Sequence, residues 1–257
     1  MKSFFSMAVL FVLLFYGILL VLMPLALKWR FRSRARIFPR VIRFEDLPAA
    51  ARVFVQKNTN SFELWGFDLI TYLNLCLAPE RAGPFLALLS NPHTGEWAGI
   101  SYGVFKGNSR GYLGFITQAG DVQVETNTDV ISSVLFPTPN RQVFRFPNVR
   151  DVFTLYRLHR MLVQQIIGHH YPVLPPAGQE VAELQGRLER YTRAQQARGY
   201  LELDWRHHCY RLTWKGAMVA TWRFIWPGPL LCAWFIGRRT RAILKSRARA
   251  QQSQSLA

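Results

Sequence analysis

The longest apolar stretch of the chain runs from Ser3 to Leu27 and contains no charged residue. As an α-helix, these 25 residues are longer than the roughly 30 Å hydrocarbon core of a bilayer. A cleavable signal peptide would have a shorter apolar region that ends in a small-x-small site, whereas Leu27 is followed directly by Lys28. The pattern therefore predicts an N-terminal transmembrane helix over residues 1–27.

A second apolar region, from Gly216 to Gly237, is interrupted by Arg223 and by Pro227-Gly228-Pro229. Proline removes a backbone donor and clashes with the preceding turn, so we expect a helix to bend or break there. The uncharged run after Arg223 has 14 residues, a length typical of re-entrant or interfacial segments. We expect this Trp-rich segment to dip into the membrane; a second full span and a buried soluble hairpin are the alternatives.

The chain between the two apolar regions has the pattern of a folded domain. Short runs rich in β-branched and aromatic residues alternate with turn sequences such as Asn91-Pro92-His93-Thr94-Gly95 and Ala119-Gly120-Asp121. Short strands joined by such turns form an antiparallel meander. The predicted strands are 68–77, 85–89, 97–105, 112–117 and 122–126.

Helical patterns flank the predicted meander. A short helix is expected over Leu47–Val55, where the acidic pair Glu45-Asp46 suits a helix N-terminus. Apolar residues at helical spacing predict a helix from Asp151 to about Ile167 and another from Glu180 to Ala197. The fold class is therefore predicted to be α+β, with the helices packed on one side of the meander.

The formal net charge of +17 resides in two segments. Residues 28–43 contain seven basic side chains and residues 205–257 contain ten, without an acidic residue in either, and six of the eight Trp residues lie in or beside them. Basic residues attract anionic lipid headgroups, and Trp prefers the headgroup level. Nucleic acid and a plain solvated surface are the alternatives. The residues expected at the membrane interface are Lys28, Trp29, Arg30, Arg32, Arg34, Trp214, Lys215, Trp222, Arg223, Trp226, Trp234, Arg238, Arg239 and Arg241.

The same charges predict an orientation. One Lys precedes the apolar helix, whereas six basic residues occupy the first thirteen positions after it. The positive-inside bias then places the N-terminus outside and the main domain in the cytoplasm, at a bacterial inner membrane. The expected division of the chain is an anchor over 1–27, a basic juxtamembrane segment over 28–43, a cytoplasmic domain over 44–204, a hairpin strand with the membrane-dipping segment and a basic helix over 205–250, and a disordered tail over 251–257.

The chain lacks the common motifs of catalysis. It has no GxxxxGK[ST] or GxGxxG phosphate loop, no GxSxG elbow, and no CxxC among its three cysteines. A metal site from His169-His170 and His207-His208-Cys209 would require distant segments to meet. Asp121 and Glu125, four residues apart on a predicted strand, face the same side and could act as an acid–base pair. Solvated turn histidines and surface carboxylates are the simpler interpretation. We therefore expect no cofactor and no metal.

One local resemblance concerns the run from Leu188 through Gly199 to Gly216. It contains Tyr200-Leu201-Glu202-Leu203-Asp204 and then Tyr210-Arg211-Leu212-Thr213-Trp214-Lys215-Gly216. This run of some thirty residues resembles the last helix and wing hairpin of bacterial winged-helix regulators. The resemblance implies a membrane-tethered DNA-binding protein; a simple hairpin that leads into the apolar segment is the alternative reading.

These patterns lead to a functional expectation. The leading hypothesis is a non-enzymatic accessory or scaffold protein of an inner-membrane complex. Its expected partners are anionic membrane lipids and other membrane proteins, and nucleic acid is not expected. The alternatives are a membrane-tethered module that senses a ligand or lipid, which a pocket lined by aromatic residues would favour, the winged-helix-like DNA-binding protein, and an enzyme that acts on a lipid-linked substrate.

Overall fold

The computed structural model has an α+β architecture with one large mixed sheet, one small sheet and helices on both faces of the large sheet. It describes residues 2–35, 38–75, 84–105, 108–129, 136, 138, 140–168, 175–225, 228, 231, 234, 237, 238 and 242. The elements in chain order are α1 (Lys2–Arg30), β1 (Ser33–Arg34), β2 (Pro39–Ile42), a 3-10 turn (Phe44–Asp46), α2 (Ala49–Glu63), β3 (Asp68–Leu75), β4 (Phe85–Asn91), β5 (Glu96–Phe105), β6 (Asn108–Ala119), β7 (Val122–Asn127), β8 (Arg141–Arg145), α3 (Val152–Ile166), α4 (Glu180–Ala197), β9 (Leu201–Asp204), β10 (Cys209–Leu212) and α5 (Trp214–Phe224).

The large sheet contains β2 to β8 in sequential order. Every neighbouring pair is antiparallel except β7 and β8, which are parallel. The predicted meander of β3 to β7 is therefore confirmed, and most of its strands are longer than their sequence patterns indicated. The sequence reasoning missed β2 and β8, the two strands that form the edges.

One face of the large sheet packs against α2 and α3. Sheet residues such as Leu89, Ile100 and Phe115 are buried there against Phe62 of α2 and Leu155 of α3. The aromatic rings of this core are close together, with the centroids of Phe62 and Phe115 at 5.1 Å. This face is the main hydrophobic core.

The other face of the large sheet is also covered, so the prediction of helices on one side is wrong. Leu86, Leu88 and Trp97 point away from the main core and pack against Val181 and Leu184 of α4. β4 accordingly has almost no exposed position along its length, which is typical of a strand covered on both faces. The space under α4 becomes the site discussed below.

Two segments that are far apart in the sequence meet in the small sheet. β1 pairs antiparallel with β10, and β10 pairs antiparallel with β9. Leu27 and Phe31, at the end of α1, pack against a cluster that includes Leu212 and Ala217. A Cβ on Gly216 would lie 2.1 Å from the backbone oxygen of Tyr200, so only glycine allows this close approach of α5 to the hairpin.

The helices match the sequence patterns unevenly. α4 has the predicted bounds, and Gly199 follows it with a positive φ of 72°. α3 begins after the N-cap Asp151, whose carboxylate accepts a hydrogen bond from the Thr154 amide. The helix expected over Leu47–Val55 instead begins at Ala49, after Pro48, and continues to Glu63. The acidic pair lies in the 3-10 turn that precedes it.

The two apolar segments are helical in part. α1 covers the predicted anchor, and α5 ends at Phe224 with Ile225 in an extended conformation, as expected from the prolines that follow. Helical backbone is described again at 228, 231, 234, 237, 238 and 242. Judged on the described residues alone, no helix is long and apolar enough to cross a membrane. The spanning helix therefore stays a prediction, and residues 251–257 lie outside the described chain.

Candidate ligand cavity

A cavity of about 550 Å³ lies between the second face of the large sheet, α4 and the segment that follows α1. Its volume is within the range of small-molecule binding sites, roughly 300–1,000 Å³. Most of its surface is apolar, and four aromatic residues contribute to the described lining, namely Phe31, Tyr112, Phe136 and Tyr191. The cavity is therefore large enough for a ligand and mainly hydrophobic.

Small residues on β5 and β6 form the floor of the cavity. Gly99 and Gly114 are direct cross-strand partners, and Ser101 follows on the same face of β5. A Cβ on Gly99 would lie 2.9 Å from Cδ1 of Leu86. The Leu86 side chain thus lies against Gly99, and the absence of side chains on the two facing glycines leaves room between the sheet and α4.

The roof of the cavity is formed by α4, through Leu188, Tyr191 and Thr192. The Tyr191 hydroxyl donates a hydrogen bond to the Phe136 carbonyl oxygen at 3.1 Å. Burial raises the pKa of Tyr191, so its hydroxyl stays protonated and able to donate. This bond connects α4 to the segment before β8 and fixes the roof at one side.

A polar group of residues lies in the wall formed by β7 and β8. Arg141 donates from Nε to Oε2 of Glu125 at 3.0 Å and also from Nη2, while Asn127 donates from Nδ2 to Oε1 of Glu125 at 3.0 Å. The Arg141 guanidinium lies 5.0 Å from the ring centroid of Tyr191. Both partners of this ion pair are largely buried. The wall thus offers hydrogen-bonding groups whose charges already compensate each other.

The acid–base pair considered from the sequence is not assembled as such. Asp121 lies exposed in the turn before β7, whereas Glu125 is buried and bound to Arg141 and Asn127. Both oxygens of Glu125 already accept hydrogen bonds, one from Asn127 and the other from Arg141, and Asp121 is not among their partners. The geometry therefore gives no support to acid–base chemistry by these two residues.

The end of α1 contributes directly to the cavity. Phe31, Arg32 and Ser33, which follow the helix immediately, belong to the described lining. Ser33 lies in β1 and is held by its pairing with Tyr210. The cavity is consequently adjacent to the predicted end of the membrane anchor.

The structure brings several of the expected membrane-interface residues together near this point. Lys28 lies 5.4 Å from the ring centroid of Trp214 and 3.4 Å from Oε1 of Glu202. Trp29, Trp214 and Trp222 remain 86%, 55% and 49% exposed. The Trp29 and Trp214 rings thus face outward where α1 ends and α5 begins, a surface that we call the tryptophan surface, whereas Trp222 lies in the last turn of α5.

The other expected interface residues have different environments. Arg30 and Arg32 are exposed, and Arg34 and Arg223 are half-buried. Lys215 donates to the Arg198 carbonyl oxygen at 2.8 Å. Further along the chain, Arg238 lies 5.2 Å from the ring centroid of the half-exposed Trp234. The remaining predicted residues, Trp226, Arg239 and Arg241, lie outside the described part of the chain.

A buried polar network on the opposite face of the sheet was missed by sequence reasoning. Glu96 is fully buried and accepts hydrogen bonds from Thr94 Oγ1 at 2.9 Å, Tyr156 Oη at 2.8 Å and Arg160 Nη1 at 2.8 Å. Burial, and then the Glu96 carboxylate, raise the pKa of Tyr156. The spacing of Tyr156 and Arg160, four residues apart on α3, is the sequence signal that places both on one helix face.

His159 belongs to the same network and is also fully buried. Its Nε2 lies 2.8 Å from Oγ1 of Thr117, and its Nδ1 lies 3.1 Å from Oγ1 of Thr126. Burial, with a contribution from Arg160, lowers its pKa to about 3, so the ring is neutral. Since neither His159 nor Glu96 lines the cavity, the network holds α3 to the sheet rather than serving a ligand.

The histidines considered as metal ligands do not form a described site. His207 is at the tip of the β9–β10 hairpin, with Nδ1 at 2.8 Å from Oδ2 of Asp204. Cys209 is buried in β10. Within the described residues, no group of three or more His, Cys, Asp or Glu side chains could hold a metal ion. His169 and His170 lie outside those residues.

The wing-like hairpin is present as β9 and β10, but the helix before it is already engaged. α4 packs against the large sheet and roofs the cavity. Its Arg187 and Arg190 side chains are paired with Glu183 at 3.0 and 2.7 Å. Because α4 contains three Glu and three Arg residues, it has no net charge to attract phosphate, and this geometry does not favour DNA binding by α4.

Comparison with known proteins gives no match from which a function could be inferred. The chain matches no model of a protein family, no curated protein and no solved structure.

Proposed function

We propose that the chain is a membrane-anchored module that binds a small apolar ligand at the cytoplasmic face of a bacterial inner membrane. The proposal rests on one observation above all. A mainly apolar cavity of about 550 Å³ has part of its wall formed by the residues that directly follow α1. Apolar cavities with a few placed polar groups are the usual form of small-molecule sites.

The sequence and the exposed surface of α1 support anchoring. Residues 3–27 carry no charge, and apolar side chains on several turns of α1, among them Leu10, Phe11 and Val21, have most of their surface exposed. Transfer of such side chains out of water stabilises by roughly 1.5–3 kcal/mol each. The outward-facing tryptophan surface and the basic residues after α1 support an interface at this end and a cytoplasmic domain beyond it.

Binding is favoured over catalysis by the state of the polar groups. The carboxylate in the cavity wall, Glu125, is already bound by Arg141 and Asn127. Two other buried titratable residues, Glu96 and His159, are enclosed on the other face of the sheet, and neither lines the cavity. An enzyme that acts on a lipid-linked substrate therefore gains no support from the described residues.

The accessory or scaffold role remains a second candidate, and one surface feature favours it. The rings of Trp65 and Phe153 stack with centroids 4.8 Å apart while both residues remain more than a third exposed. Leu64 beside them is almost fully exposed. Exposed aromatic pairs of this kind are typical of protein contact sites. Loss of a co-purifying protein from a Trp65→Ala variant would favour this role.

The binding proposal is tested with the full-length protein held in an amphipathic polymer, because detergent tails would compete for the cavity. The neutral dye 1-aminoanthracene is titrated and its fluorescence is followed. We expect a saturable increase that is lost in Ser101→Phe, since the new ring fills the space above the glycine floor. The control Ser109→Phe makes the same change at an exposed position of β6. Equal dye binding by the wild type and both variants would refute the proposal.

A further inference from the structure

We infer that the ligand of this cavity is a single-chain acyl amphiphile without net charge, whose chain lies between the glycine floor and α4. This inference rests on the proposed function, because it names the ligand class for the same cavity. It follows from the size of the cavity, the placement and charge of its polar wall, and its position beside the end of α1.

The size of the cavity fits one long acyl chain. A water-sized group occupies roughly 30 Å³, so 550 Å³ accommodates about 18 such groups. A methylene group is of similar size, and one chain of a common membrane lipid therefore fills the space. Two chains of that length would need about twice that volume, so the cavity suits a single-chain amphiphile better than a diacyl lipid.

The lining suits a flexible aliphatic chain along most of its surface. Leu86 and Ile116 on the sheet, Leu188 on α4 and Leu201 on β9 face the space from three sides. Each buried methylene contributes roughly 0.8 kcal/mol, so a chain of this length has ample driving force to leave water. The wall of β7 and β8 carries Glu125, Asn127 and Arg141 side by side, and the polar head of an amphiphile would be placed there.

The charges in that wall select against an anionic head. Arg141 is neutralised by Glu125, and the other charged lining residues, Arg32 and Asp129, are one of each sign. A free carboxylate placed against this wall would meet the Glu125 carboxylate, and the cation of the wall, Arg141, is already bound to Glu125. A glycerol hydroxyl, by contrast, can donate to Glu125 and accept from Arg141. The wall therefore favours a neutral head over a fatty acid carboxylate.

The membrane is the nearest source of such a molecule. The lining residues Phe31 to Ser33 follow α1 without a linker, and the exposed tryptophan surface lies at the same end of that helix. With α1 in the bilayer, the cavity would be at the level of the lipid headgroups. An amphiphile that dissolves in the cytoplasmic leaflet would then reach it without passing through bulk water.

The test is displacement of 1-aminoanthracene from the full-length protein by monooleoylglycerol, oleate and dioleoylphosphatidylethanolamine. We expect monooleoylglycerol to displace the dye at a concentration about tenfold lower than oleate, and the diacyl lipid to be the weakest. Glu125→Gln removes the compensating carboxylate and exposes the Arg141 charge. It should therefore reverse the order, with oleate bound more tightly than monooleoylglycerol, whereas a merely structural role of Glu125 would weaken both ligands alike.

A second measurement does not depend on the Glu125→Gln variant. A photoreactive monoacylglycerol with a diazirine in its chain should label peptides of β5, β6 and α4 in the wild type, and Ser101→Phe should remove this labelling. If Ser101→Phe abolishes dye binding but no acyl compound displaces the dye, the cavity binds another apolar ligand and the acyl inference fails alone. Tightest binding of oleate to the wild type would overturn the neutral-head part. Dye binding that is indifferent to Ser101→Phe would remove the proposed function itself.

Discussion

The buried His159 makes the stability of the fold dependent on pH in a way that can be calculated. In the unfolded chain its pKa is about 6.5, whereas burial lowers the pKa to about 3 in the folded protein. Above about pH 6.5 the ring is neutral in both states, so its titration does not change the free energy of unfolding. Between pH 6.5 and pH 3 only the unfolded chain binds the proton, so stability falls as the pH falls, by roughly 1.4 kcal/mol per pH unit. From pH 7.5 to pH 5 the expected loss from His159 is about 2 kcal/mol.

The assay is the free energy of unfolding by urea, measured at both pH values on full-length protein in mild detergent. Other groups titrate in the same range, so the wild type is compared with His159→Gln. Glutamine can still bond to Thr117 and Thr126 but does not titrate. The variant should be less stable at pH 7.5, because it loses the stacking of the ring on Phe115, yet its loss between pH 7.5 and pH 5 should be about 2 kcal/mol smaller. Parallel losses in the two proteins would show that His159 accepts a proton freely in the fold, and the reasoning from its burial would be refuted.

Three further predictions concern stability, each measured by thermal or urea unfolding of the full chain. Gly216→Ala should lower the free energy of unfolding by about 1–3 kcal/mol, because the new Cβ would meet the Tyr200 backbone. In the control Gly186→Ala the new Cβ meets only the flexible end of Arg190, so this variant should be neutral or stabilise α4 by up to about 1 kcal/mol. Asp151→Ala should cost about 1 kcal/mol through the lost cap of α3, and an Asp151→Ser cost as large as that of alanine would contradict the capping role. Glu96→Gln should cost about 2 kcal/mol, because its four donors, Thr94, Thr117, Tyr156 and Arg160, lose a charged acceptor; a neutral outcome would mean that the network contributes nothing to stability.

Local patterns were sufficient for those parts of the fold that depend on neighbours in the sequence. The turn at Asn91 to Gly95 joins β4 and β5 as expected, because Oδ1 of Asn91 accepts from the amides of His93 and Thr94. The stripe on α4 predicted from helical spacing is also the face that the helix buries. Val181 and Leu184 contact the sheet, and Leu188 and Tyr191 roof the cavity.

The rest depends on pairings between distant segments, and no local pattern reveals these. β1 is only two residues long and is a strand solely because β10 lies beside it. The parallel pairing of β7 and β8 brings Glu125 and Arg141 together. The floor of the cavity could not be predicted either. A glycine in a strand pattern indicates only a locally weaker strand, and the register is needed to show that Gly99 and Gly114 face each other.

The predicted membrane-interface residues illustrate the same division. The concentration of Trp and basic residues in two segments was visible from composition alone. That Lys28 would lie over Trp214 required the small sheet, which joins the end of α1 to the start of α5. The sequence indicated a pocket only as an alternative, because the residues that line the cavity come from segments that are distant in the sequence.

The pairing of β1 with β10 also determines when the protein can be completed during its synthesis. Arg34 can pair only after Cys209 has been synthesised, which is 175 residues later. At usual elongation rates this takes roughly 10 to 35 s. The meander can assemble from adjacent hairpins in that interval, whereas the segment after α1 has no partner strand. A chain truncated before β9 would therefore retain its large sheet and lose the pairing that holds Ser33 in the wall of the cavity.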